Sequence, residues 1–433
     1  MFGRLRTLLE RNVWRCAVYR KKSLVVSFLT VTVLSVAAPE ARADTGDLDA
    51  SFDGDGVAQI DVFRYPQGTG LAVRPDGSIV VAVGSPWANV FGAMQLLPDG
   101  TPDETFGLHG RVRIDLDGRT SATDLLLQSD GKAVVVGFVR KRMLAVRFAT
   151  DGSLDATFGG DGKAAVRFPD RAAVASSAAL TPDGKIVLAG TVSRSPSKHK
   201  MVLVRLTAQG ELDPTFGNDG KVVPPLGSCV CSKAEDVAVT PDGSTVAVGQ
   251  YDLRAATAMV DVAGALDDSF AGDGARLGRL GLRGEVEATT VALDATTGGI
   301  VVAGWGWGNT FEPRGFLTRF GIDGALDPAF QDGSVVITSK INVPGSLAIQ
   351  TDGSIVVGGG NCCGAGSELF FELGRFSTSG DVDASFGTDG FVFFGFDLAF
   401  YPGWAAAALQ TDGNIIVAGG REGDRLMMAR YLG

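Results

Sequence analysis

Short apolar runs recur along this chain on either side of an Asp-Gly or similar turn. Leu71–Gly84 reads LAVRPDGSIVVAVG, and related segments follow at Leu125–Gly137, Ala178–Gly190, Val237–Gly249, Val291–Gly304, Leu347–Gly359 and Ala407–Gly419. Two apolar runs flanking Asp-Gly predict a β-hairpin. The run after the turn is β-branched and continuous, as in a strand buried on both faces. The run before it is richer in Ala, Ser and Thr, which suits a crowded innermost position. A third strand is predicted in MLAVRF (Met143–Phe148), MVLVRL (Met201–Leu206), FLTRF (Phe316–Phe320) and MMARYL (Met427–Leu432). A fourth is predicted in VRIDL (Val112–Leu116) and VVITS (Val335–Ser339). One copy of the fourth, KVVPPL, contains Pro224 and Pro225. Proline is tolerated only on an edge strand, so the fourth strand is the outermost.

A second phrase, Leu-Asp-x-Ser/Thr-Phe-Gly, lies between the third and fourth strands. Its phenylalanines are Phe52, Phe106, Phe158, Phe216, Phe270, Phe330 and Phe386, about 56 residues apart on average. That period matches one four-stranded propeller blade. The expected fold is therefore all-β, a seven-bladed β-propeller over residues 44–433. Val57–Phe63 is an outer strand with no inner strands before it, and the third strand near residue 430 has no outer strand after it. Together they make one blade, so the ring is expected to close by pairing first strand with last and to leave no open edge.

Within the phrase, Asp49, Asp103, Asp155, Asp213, Asp267, Asp327 and Asp383 are placed to cap the backbone amides that follow. The phenylalanines are placed to plug the space between blades. Arg147, Arg205, Arg319 and Arg375 each precede the Asp by eight residues, with Arg430 at the same place in the last strand, so an Arg–Asp pair across the turn is expected. Val260 is read as replacing the Arg before Leu266, with one residue missing there. Ca²⁺ is the alternative role for these aspartates. Turn and ion pair is the preferred reading, because all seven units use the position alike, and no cofactor is predicted.

The alternation of Leu-Asp-x-Ser/Thr-Phe-Gly-x-Asp-Gly with Asp-Gly-Lys-Ile-Val-Val-Ala-Gly resembles the delta-60 repeat family of bacterial proteins, over about residues 47–433. The resemblance implies a secreted propeller and carries no catalytic residues. His109 replaces the Asp of Asp-Gly in the second unit, and Ala295–Gly299 replaces the turn in the fifth.

Residues 1–43 are read as a cleavable signal peptide. They hold seven basic residues from Arg4 to Lys22, an apolar run Leu24–Ala38 and Ala41-Arg42-Ala43 before Asp44. An apolar run of that length is short for a membrane span of ~20 residues. A secreted or periplasmic protein without a stable membrane anchor is expected. The whole chain has a net charge of −10. Removing the basic leader makes the remainder more acidic, which excludes nucleic acid as a partner. Cys229, Cys231, Cys362 and Cys363 remain as disulfide candidates, with zinc as the alternative. With only two histidines, His109 and His199, a multi-histidine metal centre is excluded.

Successive antiparallel connections alternate between the faces of the ring. The Asp-Gly turns and Leu-Asp phrases share one uniform face. The other face carries loops that vary, as function-bearing loops do. Tyr65, Trp87, Tyr251, Trp305, Trp307, Phe311, Tyr401 and Trp404 fall in or beside those loops and are the candidate ligand-binding residues. Trp and Tyr anchor sugars, peptides and proteins well. The expected function is an exported monomeric scaffold that binds a protein, peptide or glycan. The alternative is a propeller enzyme, a hydrolase or lyase on glycans or lactones, with acidic residues such as Glu285 and Glu287 near the axis. No catalytic residue is assigned.

Overall fold

The computed structural model describes residues 44–433 except 63–66, 86, 196, 228–230, 309–311, 362–369, 395–405 and 421–424. The expected leader, residues 1–43, lies outside the described residues, as do Tyr65, Phe311, Tyr401, Trp404, Cys229, Cys362 and Cys363.

The described strands form seven antiparallel four-stranded sheets. They are blades 1 to 6, spanning 67–113, 120–166, 172–222, 232–278, 283–338 and 343–394, and blade 7, which joins 406–431 to 57–61. In blades 1 to 6 the strands pair in chain order from the first, innermost strand outward. The second and third strands are largely buried, and Ile79–Ser85 and Val90–Leu96 have no exposed position. The outer strand is short: in blade 3 it is only Lys221–Val222 and stops before Pro224 and Pro225. Blade 7 takes its outer strand, Val57–Asp61, from the start of the ring, where it pairs with Arg425–Tyr431 from Asp61↔Arg425 to Val57↔Ala429. The expected closure is thus the observed one.

The core is not central. It consists of seven apolar clusters, one in each seam between neighbouring blades. Each seam contains one phenylalanine of the repeated phrase, and all seven are fully buried. Burying one such ring contributes about 1.5–3 kcal/mol.

The uniform face fastens five of the seven seams in the same way. Asp213 Oδ1 accepts the Thr215 amide at 3.0 Å and its hydroxyl at 2.7 Å, and Arg205 Nε lies 2.7 Å from Asp213 Oδ2. The same Arg–Asp contact measures 2.6–2.8 Å at Arg147–Asp155, Arg319–Asp327, Arg375–Asp383 and Arg430–Asp49. Each of these guanidinium groups also stacks on the Phe of its own phrase, at 4.4–5.2 Å from the ring centroid. The arginine then crosses the seam: Arg205 Nη1 donates to the Val262 carbonyl at 2.6 Å. The residue after each Phe has φ between 49° and 60° and donates its amide to the next blade. A glycine of that next blade covers the ring. At Gly210 a Cβ would stand 2.8 Å from the Phe158 ring, closer than side chains come.

Two blades depart from this scheme. In blade 4 the residue eight before Asp267 is Met259, and the Asp267 amide bonds its carbonyl as Asp213 bonds Arg205. No residue is missing, and Met259, not Val260, takes the arginine's place, which corrects the reading made from the sequence. In blade 1 the place is held by Gln95, whose Nε2 donates to Asp103 Oδ2 at 2.7 Å. The arginine stands instead at Arg74, in the hairpin that follows the innermost strand, where it is buried. Blade 2 has the reverse order, Gln128 at the hairpin and Arg147 on the third strand, 3.2 Å apart.

Candidate functional site

The seven innermost strands surround an axial cavity of about 570 Å³. An irregular, bulged register interrupts the innermost strand in blades 1 to 6, for example between Ala122 and Asp124 and between Ala234 and Asp236. A bulge re-aims side chains. Here it brings Thr123 and Asp124, Ser176 and Ser177, Glu235 and Asp236, and Thr289 and Thr290 to the cavity wall. These strands were expected to be rich in Ala, Ser and Thr, with acidic residues near the axis only on the alternative reading, which did not include Asp124, Glu235 or Asp236.

The loop-side end of this wall carries a charged cluster where blades 4 and 5 meet. Lys233 Nζ lies 3.1 Å from Glu235 Oε1 and 2.5 Å from Glu287 Oε1. Gln250 Nε2 donates to Glu285 Oε1 at 2.8 Å across the same seam. Burial, and then the charge of Glu235, push the Glu287 carboxyl up to about 8. Burial opposes the charge on Lys233, but Glu235 and Glu287 outweigh it and hold its pKa above the ordinary value. The cluster is a charged ammonium held between two carboxyls, with burial raising the Glu287 pKa against the opposing pull of Lys233.

Two of the candidate tryptophans adjoin this cluster. Trp305 is paired directly opposite Glu287, and Trp307 opposite Arg283. Directly opposed residues in an antiparallel pair project to the same side. The two indoles meet edge to face, with centroids 5.8 Å apart, and both are half-buried. Tyr251 ends the second strand of blade 4, the neighbouring blade. Trp87 is 71% exposed but belongs to blade 1, which does not adjoin blade 5. The described aromatic candidates are therefore not one patch: Trp305 and Trp307 come together and Trp87 stands apart. Cys231 is half-buried beside the start of blade 4. Among the described residues, no group of three or more His, Cys, Asp or Glu is arranged to hold a metal ion. None of their helices is long and apolar enough to cross a membrane.

Sequence reasoning named Glu285 and Glu287 but missed Lys233, Glu235, Asp124 and Asp236. Their signal was charge inside otherwise small-residue strands, as in SKAEDVAV (Ser232–Val239).

One family model agrees with this architecture. The model of a β-propeller domain of unknown function (DUF5122) matches residues 74–106, 128–158 and 181–216, so the chain is similar to a β-propeller repeat family. No curated protein matches the sequence. Among solved structures, hydrazine synthase from Kuenenia stuttgartiensis is 11% identical, covering 90% of this chain and 96% of that one, with a TM-score of 0.49. A protein from Lactobacillus plantarum is 12% identical, covering 76% and 88%, with a TM-score of 0.45. A protein of unknown function from Bacteroides caccae is 13% identical, covering 76% and 99%, with a TM-score of 0.41.

Proposed function

We propose that the chain is an exported binding scaffold of the delta-60 repeat kind. It takes a peptide or glycan on its loop face, where the seam of blades 4 and 5 opens on the axial cavity. The observation that carries this reading is Trp305, set beside Glu287 within a Lys–Glu cluster at the edge of the cavity. An indole face with charged hydrogen-bonding groups beside it suits a ligand with both apolar and polar surfaces. The test is a thermal-shift screen of residues 44–433 against glycans, short peptides and Ca²⁺, run on the wild type and on Trp305→Ala/Trp307→Ala. A ligand that raises the melting temperature of the wild type by several degrees and leaves the double variant unmoved supports the site. If every ligand shifts both proteins alike, the site is wrong.

A second reading follows from Glu287. A carboxyl with its pKa raised by burial beside Glu235 and Lys233 is the kind of group that serves as a general acid. The chain would then be a hydrolase or lyase on glycans or lactones. On this reading Glu287→Gln abolishes turnover of a substrate found in the screen while leaving its binding in place.

A further inference from the structure

Three side chains on the cavity wall pose a problem of proton counting. Ser177 Oγ lies 2.9 Å from Asp124 Oδ2 and 2.7 Å from Asp236 Oδ1. A hydroxyl has one hydrogen and an ionised carboxylate has none. Both contacts are hydrogen bonds only if one of the two carboxyls keeps its proton and donates it to the serine oxygen. The other positions on these carboxyls are taken by backbone and hydroxyl donors. Asp124 accepts the Leu125 amide at 2.7 Å and the Ala178 amide at 2.9 Å. Asp236 accepts the amides of Val237 and Val291, both at 2.8 Å, and the Thr290 hydroxyl at 3.0 Å. The bonds therefore run from blade 2 through blades 3 and 4 to blade 5, crossing three seams at the inner edge of the ring.

We propose that Asp124, Ser177 and Asp236 share one proton, which latches the inner strands of blades 2 to 5 around the axial cavity, and that loss of this proton loosens that part of the wall. The latch is independent of which ligand the loop face takes. Its charged surroundings are few. Blade 2 adds Arg119, blade 4 adds Glu235 with Lys233, and blade 5 adds Glu287, already paired to Lys233. Among the described residues, those lining the wall in blades 1, 6 and 7 carry no charge. Burial, and then the charge of Asp236, raise the Asp124 carboxyl to about 7, and burial raises Asp236 as well. The proton therefore leaves near neutrality.

The sign follows from proton binding. Between about pH 4 and 7 the folded chain holds a proton that the unfolded chain has released, so stability falls as pH rises through that window. Glu287 adds a fall of its own up to about pH 8, so wild type must be compared with a variant. In Asp124→Asn the amide donates permanently, at the cost of one backbone contact. The melting temperature of the wild type is expected to fall more steeply between pH 5.5 and 8 than that of Asp124→Asn, by on the order of 2–4 °C. The infrared difference spectrum, wild type minus variant, should show one protonated-carboxyl band at pH 6 that is gone at pH 8. Equal slopes, or a difference spectrum with no such band at pH 6, overturn the proposal. If Asp124→Asn does not fold, Ser177→Ala serves instead. Removal of the bridging hydroxyl should then shift the band and the pH at which it disappears, and an unchanged band overturns the proposal.

Discussion

At the turn end of the ring, Phe52, Phe106, Phe158, Phe216, Phe270, Phe330 and Phe386 occupy equivalent, fully buried seats. At the loop end and along the cavity wall, equivalent positions hold different residues: Asp124 in blade 2, Ser177 in blade 3, Asp236 in blade 4 and Thr290 in blade 5. The charged groups behave in opposite ways. Asp155 and Asp213 are held well below the ordinary carboxylate range: for Asp155 the hydroxyl of Thr157 is the main cause, whereas for Asp213 burial pushes the carboxyl up and the hydrogen bonds from Thr215, Arg205 and Lys185 together outweigh it. Asp124 and Glu287 are raised, chiefly by burial. The first pair stabilises the fold in its charged form, and the second destabilises it when charged. Groups that cost stability are retained more readily where they serve a function. The contrast directs the search for function away from the sevenfold motif and toward the axis.

Three perturbations test this contrast. The largest effect belongs to closure. Deleting residues 47–63 removes the strand paired with Arg425–Tyr431 and the Phe52 plug, and should consume most of a stability margin of about 5–15 kcal/mol. Aggregation or early proteolysis is the expected outcome, and an unchanged melting curve would show that blade 7 stands on three strands. The next effect separates two adjacent blades. Asp213→Ala leaves Arg205 buried without its carboxylate and should cost about 3–5 kcal/mol in denaturant unfolding. Asp267→Ala in blade 4 has no arginine to strand and should cost only ~1 kcal/mol, the value of a lost cap. Similar costs at the two sites would mean that the turn, not the ion pair, fastens the seam. The wild-type pair is also acid-sensitive: the depressed Asp213 pKa gives stability above the ordinary carboxylate range that is lost as pH falls below it. The smallest effect is a gain. Met259→Arg rebuilds the missing contact to Asp267 and should raise stability by up to ~1 kcal/mol. A loss would show that blade 4 has repacked around the thioether.

Much of the ring was legible in the sequence because its determinants are local. A hairpin, a capped turn and an edge proline each act within a few residues, and seven copies average out single departures. Misplacing the arginine's substitute at Val260 came from aligning by hydrophobic run, whereas the ladder fixes register by the Asp267–Met259 backbone bond. The exchange of Arg74 with Gln95 was hidden because it spans a hairpin and the third strand. The cavity wall was hidden for a different reason. A bulge shifts the alternation by one residue, so Asp124, Glu235 and Asp236 reach the axis from positions that a regular strand would turn into a seam. Side chains placed by a change of register leave no periodic trace.

The closing strand also sets an order of events. Every other blade pairs strands that lie close together in the chain, but Asp61 meets Arg425 364 residues later. In equilibrium terms this separation is cheap, since each doubling of a loop adds only ~0.6 kcal/mol of closure entropy. In time it is the last step, because Val57–Asp61 precedes every other described strand in the chain and waits for Arg425–Tyr431. Throughout synthesis the chain therefore carries an unpaired strand at each end of a growing stack of blades. A nascent chain interrupted anywhere before Arg425 offers those edges to other chains, so completion of the ring is also the moment at which the molecule stops being sticky.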